Sequence, residues 1–254
     1  MLATHLIDVT LKGKWGFRMD IFDLRWDIVW NYRDMFIRGI GVTLILTLSG
    51  YFGGILLGLF LGLGKLSSKK WIYWPSKLYI DLFRGTPMLV QILLIHLAVI
   101  PTIFGHSLGY MVSGITALIL NCAAYNAEIF RAGIQSIAKG QMEAARSLGL
   151  THNQAMRKVI LPQAFRRMIP PLGNEFIALL KDSSLVTVIA APDILYASKV
   201  VAGASFRFWE PYIVAALLYL VLTYGVTKIV AFIEKRFSNS YVPRKAKVEG
   251  REAR

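Results

Sequence analysis

Five stretches of the chain run mostly apolar between polar or charged segments. They extend from about Gly39 to Gly64, Pro87 to Phe104, Tyr110 to Ile129, Met168 to Ala191 and Pro211 to Ile233. Each approaches or exceeds the roughly 20 residues that a helix needs to cross a hydrocarbon core. An amphipathic stretch from Trp71 leads into the second, and the fourth is the least apolar. The pattern predicts an all-α integral membrane bundle of five spans. Ahead of the first span, Leu24, Ile28, Trp30, Tyr32, Phe36 and Ile37 interleave with Asp27, Arg33, Asp34 and Arg38. That mixture suits either an interfacial helix with aromatic anchors or a plain loop.

Two local patterns refine this. Gly50, Gly54, Gly58 and Gly62 recur every four residues in the first span. They share one helix face, where the missing side chains allow another helix to come close, within the subunit or from a partner. The second pattern lies between the third and fourth spans, in Ser136–Arg167. Residues Gln141 to Leu148 are strong helix formers, and Gly149 is a natural stop. Thr151 and Gln154 fit a capping box opening a second helix, with Pro162 as its limit or a kink. Ala144, Ala145, Leu148 and Leu150 leave a small apolar knob between charged flanks. Such a knob suits a groove on another protein, or the hairpin merely connects two spans.

Composition agrees with a membrane chain: 55% of the 254 residues are hydrophobic, and the mean hydropathy is +0.51. The net charge of +14 could signal nucleic acid. The cations, however, sit between and after the apolar runs, which argues against a nucleic-acid surface. Their placement sets an orientation. Basic residues dominate Lys65–Arg84, Glu128–Arg167 and the tail from Lys235 to Arg254, whereas the alternate segments are nearly balanced. The N-terminus is therefore expected outside, and the C-terminus and Ser136–Arg167 in the cytoplasm. No cleavable signal peptide is evident in Met1–Arg18, so the first span is expected to act as an uncleaved anchor. Residues 1–18 show no clear periodicity, and Met19 is a candidate start of translation.

Candidate chemistry is sparse. Cys122 is the one cysteine and lies in an apolar run, so no disulfide framework or cysteine metal site is expected. His5, His96, His106 and His152 are far apart, and neither H-E-x-x-H nor a phosphate-binding G-x-x-x-x-G-K-[ST] loop occurs. No catalytic or metal-binding residue is assigned. The informative charges lie in the fourth span: Glu175, Lys181 and Asp182. Burying them in lipid is costly, so they should face protein or a water-filled path. Glu175 and Asp182 are almost two helical turns apart and share a face. Asp182-Ser183-Ser184 is also a helix-starting cluster. A helix broken there would offer its ends to a zwitterionic ligand, as transporters do. Glu175, Asp182 and Ser183 are thus candidate substrate contacts; a buried ion-pair network is the other reading. Glu128 and Arg131 read as a structural or gating pair, and Arg84 as an interfacial anchor that could also gate.

Glu143-Ala144-Ala145, then Gly149, then Val159-Ile160-Leu161-Pro162 resembles the EAA motif of ABC importer permeases, with matching spacing throughout. Phe83-Arg84-Gly85-Thr86-Pro87, Tyr125 to Ile134, Gly173-Asn174-Glu175-Phe176 and Lys181 to Leu185 are similar to the polar amino-acid branch, the histidine/glutamine/arginine permease type. The resemblance covers about Leu24 to Phe237. It implies a type I importer permease domain over residues 39–234, containing a coupling segment at 136–167. An outward segment at 1–38 precedes it, and a basic cytoplasmic tail at 235–254 follows. It further implies that Glu143, Ala144, Ala145, Gly149, Leu161 and Pro162 serve coupling to two ATPase subunits, which bind the ATP and Mg. A second permease subunit, identical or paralogous, and an external solute-binding protein complete the expected assembly in the bacterial inner membrane. Two carboxylates in the pathway favour a basic amino acid, while Lys181 leaves a neutral one such as glutamine open. An ion channel or secondary transporter would explain the intramembrane charges but not the capped hairpin.

Overall fold

The structure is a computed structural model and describes residues 24–238. The alternative start at Met19 and most of the basic tail lie outside the described residues. Within them all regular structure is helical. Nine helices follow in order: α1 (Trp26–Asn31), α2 (Arg33–Lys65), α3 (Lys70–Gly85), α4 (Met88–Phe104), α5 (Gly109–Gln135), α6 (Lys139–Ser147), α7 (His152–Ile189), α8 (Ile194–Ser205) and α9 (Trp209–Ser238).

The centre of the bundle is α2 laid along α5. A Cβ added at Gly50 would lie 2.7 Å from Leu118 Cβ, and one at Gly54 2.7 Å from Cys122 Cβ. At Gly58 and Gly62 it would meet the carbonyl oxygens of Ala123 and Ala127, both at 2.8 Å. The glycine ladder is therefore a seam inside the subunit, where two backbones meet. Around it Leu46, Ile92, Leu118, Cys122, Leu179 and Val186, from α2, α4, α5 and α7, form one buried cluster. A second cluster of Phe130, Ile137, Ile160, Ala164 and Met168 seats the α6–α7 hairpin on the end of α5. A third, Phe36, Ala197 and Val201, ties the start of α2 to α8.

Several boundaries differ from the sequence pattern. The amphipathic stretch before the first span is not one interfacial helix: α1 has only six residues. α2 begins at Arg33 because Phe36 and Gly39 are already buried against the body. By length and apolarity alone, α2 and α9 qualify as spans, and up to four qualify if each bent pair is one span. The bent pairs are α3 with α4, at 108°, and α7 with α8, at 47°. α5 has 27 residues, but Asn121 and Asn126 interrupt its apolar run and are buried inside the bundle. Pro162 neither ends nor breaks its helix. A π-helical stretch, Met156–Ile160, precedes it and takes up the register where the proline has no N–H to donate. The helix also does not break at Asp182. It tightens into a 3₁₀ stretch, Ser183–Ile189, and stops at Ala190, which has a φ of 60°. The chain restarts at Asp193, whose carboxylate caps α8 by accepting from Tyr196 N at 2.8 Å.

The seam makes a prediction with an internal control. At Gly41, also in α2, an added Cβ meets nothing within 4 Å. Gly58→Ala should destabilise the detergent-solubilised protein by about 1–3 kcal/mol, the usual cost of overpacking. Gly41→Ala should be neutral or mildly stabilising, since glycine is a weak helix former. Melting followed by size-exclusion chromatography separates the two, and equal melting temperatures would remove the seam as a packing element.

Candidate functional site

The chain bends by 108° between α3 and α4, and a buried amide holds the turn. Gln91 Nε2 lies 2.8 Å from Phe83 O, 3.0 Å from Thr86 O and 2.8 Å from Thr86 Oγ1. Its Oε1 accepts from Asn121 Nδ2 at 2.8 Å. The carbonyls freed where Pro87 interrupts the helix are thus satisfied from α4, and the turn is bolted to α5. Arg84 projects from this turn with its guanidinium 5.4 Å from the centre of the Tyr125 ring on α5. The sequence reading missed Gln91 and Asn121, which look like two stray amides in apolar runs.

Across from Arg84 stands the charged face of α7. Glu175 lies in the electrostatic range of both Asp182 and Arg84. Tyr51 on α2 pins this part of α7 in place. Its hydroxyl donates to Leu172 O at 2.8 Å, and its ring packs edge-on against Phe176, centroids 4.7 Å apart. Glu175 and Asp182 are half-buried, Lys181 and Arg84 are exposed, and among the described residues none of the four makes a hydrogen bond or ion pair. The ion-pair network considered from sequence is not formed among the described residues. Ser183 is turned away: its hydroxyl is fully buried and donates to Leu180 O at 2.8 Å. The structure therefore does not bring Ser183 together with Glu175 and Asp182 on the half-buried face.

Glu128, Asp193 and Glu210, by contrast, are engaged. Glu128 accepts from Arg131 Nε at 2.9 Å and Nη2 at 2.8 Å, and also pairs with Lys65 from the end of α2. The sequence suggested the Glu128–Arg131 pair, but not Lys65, which is 63 positions away. Asp193 and Glu210, which lie between the fourth and fifth apolar stretches of the sequence, are buried. Tyr219 donates to Asp193 Oδ2 at 3.2 Å. Glu210, 1% exposed, accepts from Arg25 N at 2.9 Å and Arg207 Nε at 2.7 Å. His96 lies 2.8 Å from Ser113 Oγ through its Nδ1.

The α6–α7 hairpin is locally well determined. Leu150 N donates to Ala145 O at 3.2 Å and Gly149 N to Arg146 O at 3.0 Å, the bond pair of a Schellman motif. Gly149 has the required left-handed backbone, φ 83°. Thr151 and Gln154 form a reciprocal capping box. Glu143 and Ala144 face outward, and Leu148 at the tip is 84% exposed. Ala145 points inward and is buried, so it serves packing of the hairpin. Leu161 and Pro162 lie exposed at the base.

Comparison with known proteins fits this arrangement. The family model "Binding-protein-dependent transport system inner membrane component" matches residues 54–239. The probable glutamine ABC transporter permease protein GlnM of Bacillus subtilis (strain 168) is 37% identical over 214 residues, covering 84% of this chain and 98% of that one. The arginine transport system permease protein ArtQ of the same organism is 35% identical over 204 residues, covering 80% and 93%. A crystal structure of an amino acid ABC transporter with histidines is similar at 43% identity and a TM-score of 0.79, covering 84% of this chain and 99% of that chain. Matched over most of its length by the family model, and alike in sequence to ABC permeases along nearly their whole length, the chain belongs to the binding-protein-dependent transport system inner membrane components.

Proposed function

We propose that this chain is the membrane-spanning subunit of an ATP-driven importer for polar amino acids, with basic ones such as arginine, lysine and histidine favoured. The observation that carries the reading is the pair Glu175 and Asp182. Glu128, Asp193 and Glu210 all have partners, whereas these two carboxylates share a face of α7 and have none among the described residues. Charges cannot face lipid at this depth without large cost. The face is therefore covered by a water-filled path, enclosed with a second permease subunit, identical or paralogous. A cationic side chain beside Glu175 and an α-amino group beside Asp182 would satisfy both carboxylates. The neighbouring Lys181 favours a second reading, a neutral polar amino acid such as glutamine, because it can offset the charge of Asp182.

In this reading five spans cross the membrane, with α3 and α4 making one, and the N-terminus faces outward. The α6–α7 hairpin faces the cytoplasm and docks on two ATPase subunits, which bind the ATP and Mg. An external solute-binding protein delivers the substrate. ATP binding draws the hairpins together and reopens the pathway outward, so the chain itself needs no ATPase site.

Three measurements test these points. Glu175→Gln should cut uptake of a basic amino acid into proteoliposomes about tenfold, the weight of one hydrogen bond to a charged group, with the complex still assembled. Undiminished arginine and lysine uptake would make Glu175 structural, and a loss of glutamine uptake alone would favour the neutral class.

Coupling is tested at the hairpin tip. Gly149→Val forces a β-branched residue into a left-handed backbone, which costs about 1–2 kcal/mol or more. It should abolish uptake while the subunit remains inserted, and Gly149→Asn should retain part of the activity. Normal transport by the valine variant would remove the hairpin as a coupling element.

Orientation is tested by a single cysteine, Thr151→Cys with Cys122→Ala. It should resist a membrane-impermeant thiol reagent in intact cells and react after permeabilisation. Reaction in intact cells would reverse the topology.

A further inference from the structure

A cavity of about 340 Å³ opens between α7 and α9, away from the carboxylate face, and Arg166, Arg167, Glu234 and Phe237 are among its lining residues. That volume is within the usual range for small-ligand sites, about 300–1,000 Å³. Its depth is fixed by the helices that form it. Ile229, Phe232 and Ile233 are exposed apolar residues of α9, and the apolar surface ends at Glu234, Lys235 and Arg236. On α7 the arginines come just before the buried Met168 and Ile169. The cavity thus lies where hydrocarbon gives way to headgroups, on the side of the bundle that carries the hairpin.

Its charges are arranged unusually. Arg166 and Glu234 make no hydrogen bond or ion pair among the described residues. Arg167 is held through Nη1, which donates to Ser136 O at 2.6 Å, and keeps its other N–H groups. Opposite charges on facing helices would ordinarily close on each other. Here the cavity keeps them apart, with cations on one wall and a carboxylate on the other. A dipolar ligand with an anionic and a cationic end would bridge that gap. A guanidinium fork suits phosphate oxygens, and a carboxylate suits an ammonium that still carries N–H donors. Beside the charges the lining is apolar at Ile169, Pro170 and Phe237; Phe237 packs edge-to-face with Phe165 at 6.1 Å, and Phe232 and Ile233 just before Glu234 are exposed. The ligand therefore carries acyl chains.

We infer that this cavity is a binding site for one phospholipid with a phosphoethanolamine headgroup, its phosphate on Arg166 and Arg167 and its ammonium on Glu234. The site is separate from the transport pathway proposed above, and its occupancy would tie α7 to α9 at the membrane edge.

The test is native mass spectrometry of the full-length chain with its partner subunits, delipidated and then titrated with phosphatidylethanolamine or phosphatidylcholine. The two lipids share the phosphate, but the trimethylated nitrogen has no N–H for Glu234. Wild type should hold phosphatidylethanolamine about tenfold tighter, the weight of one charge-assisted hydrogen bond. Glu234→Gln should erase that preference and leave phosphatidylcholine binding unchanged. Arg166→Gln should weaken both lipids about tenfold. Arg166 is exposed and its side chain is bonded to nothing among the described residues, so their fold does not depend on it. Soluble phosphoethanolamine should not displace the bound lipid. Equal retention of the two lipids by wild type, or wild-type binding by Arg166→Gln, would overturn the site. Displacement by the soluble headgroup would show a site for free phosphoesters and overturn the lipid assignment.

Discussion

In a bilayer the hydrophobic effect does little to hold one apolar helix against another, because lipid is as apolar as a leucine side chain. Association must come from close packing, and in this chain that packing is the contact of α2 with α5. Four glycines remove the side chains that would hold the helices apart, and two of them rest on carbonyl oxygens of α5. The remaining contacts depend on this one. Leu46 and Leu118 meet Leu179 and Val186 of α7 around the joined pair, and Tyr51 reaches from α2 to the backbone of α7. Without the close approach, the face of α7 that bears Glu175 would have no fixed position.

The second constraint is polar satisfaction, since no water is at hand in hydrocarbon to complete a missing hydrogen bond. Asn126 Oδ1 and Thr187 Oγ1 are the buried side-chain atoms left without a partner among the described residues. Elsewhere the chain spends long-range contacts on satisfaction. Gln91 closes the α3–α4 turn and reaches Asn121, Asp193 caps α8 and meets Tyr219, and Glu210 receives Arg25 N and Arg207. Against that background, Glu175 and Asp182 stand out as two half-buried acids that share one helix face and have no partner among the described residues, as Glu234 near the end of α9 also has none. The contrast carries more weight than the charges themselves, because a membrane helix can tolerate a paired charge for purely structural reasons.

What the sequence could express was local. The glycine spacing, the stop at Gly149 and the Thr151–Gln154 box each depend on residues within one or two turns, and each has its counterpart in the structure. What it could not express was tertiary. Gln91 and Asn121 are 30 positions apart and Lys65 and Glu128 are 63 apart, and no periodicity announces such pairs. The same limit explains the misread breaks. Pro162 suggests an end to a helix, yet a π-helical stretch before it lets the helix run on. Asp182-Ser183-Ser184 suggests a beginning, yet Ser183 is drawn inward to Leu180 and the helix continues. Asp193, which does open a helix, lies just past the fourth apolar stretch, where no sequence pattern marked a cap. The third apolar stretch did mark α5, although Asn121 and Asn126, buried against protein, lower its apolarity.

The continuity of α7 has a mechanical consequence. The helix begins one residue after the capped hairpin turn and passes Pro162, Pro170 and Pro171 without a break before Ile189. From His152 to Asp182, at 1.5 Å per residue, that is about 45 Å of helix, comparable to the full thickness of a membrane with its headgroups. At one end it carries the turn whose Schellman bonds and capping box fix the direction of α6. Toward the other it carries Glu175 and Asp182. A flexible joint between them would absorb a displacement of the hairpin before it reached the carboxylates. Here a π-helical stretch carries the helix up to Pro162, the helix runs on through Pro170 and Pro171, and Tyr51 supports it beside Leu172 and Phe176. Under the proposed function, a rotation imposed at the hairpin would therefore move the carboxylate face as one body, with the yielding joint at Ala190–Asp193, beyond the site.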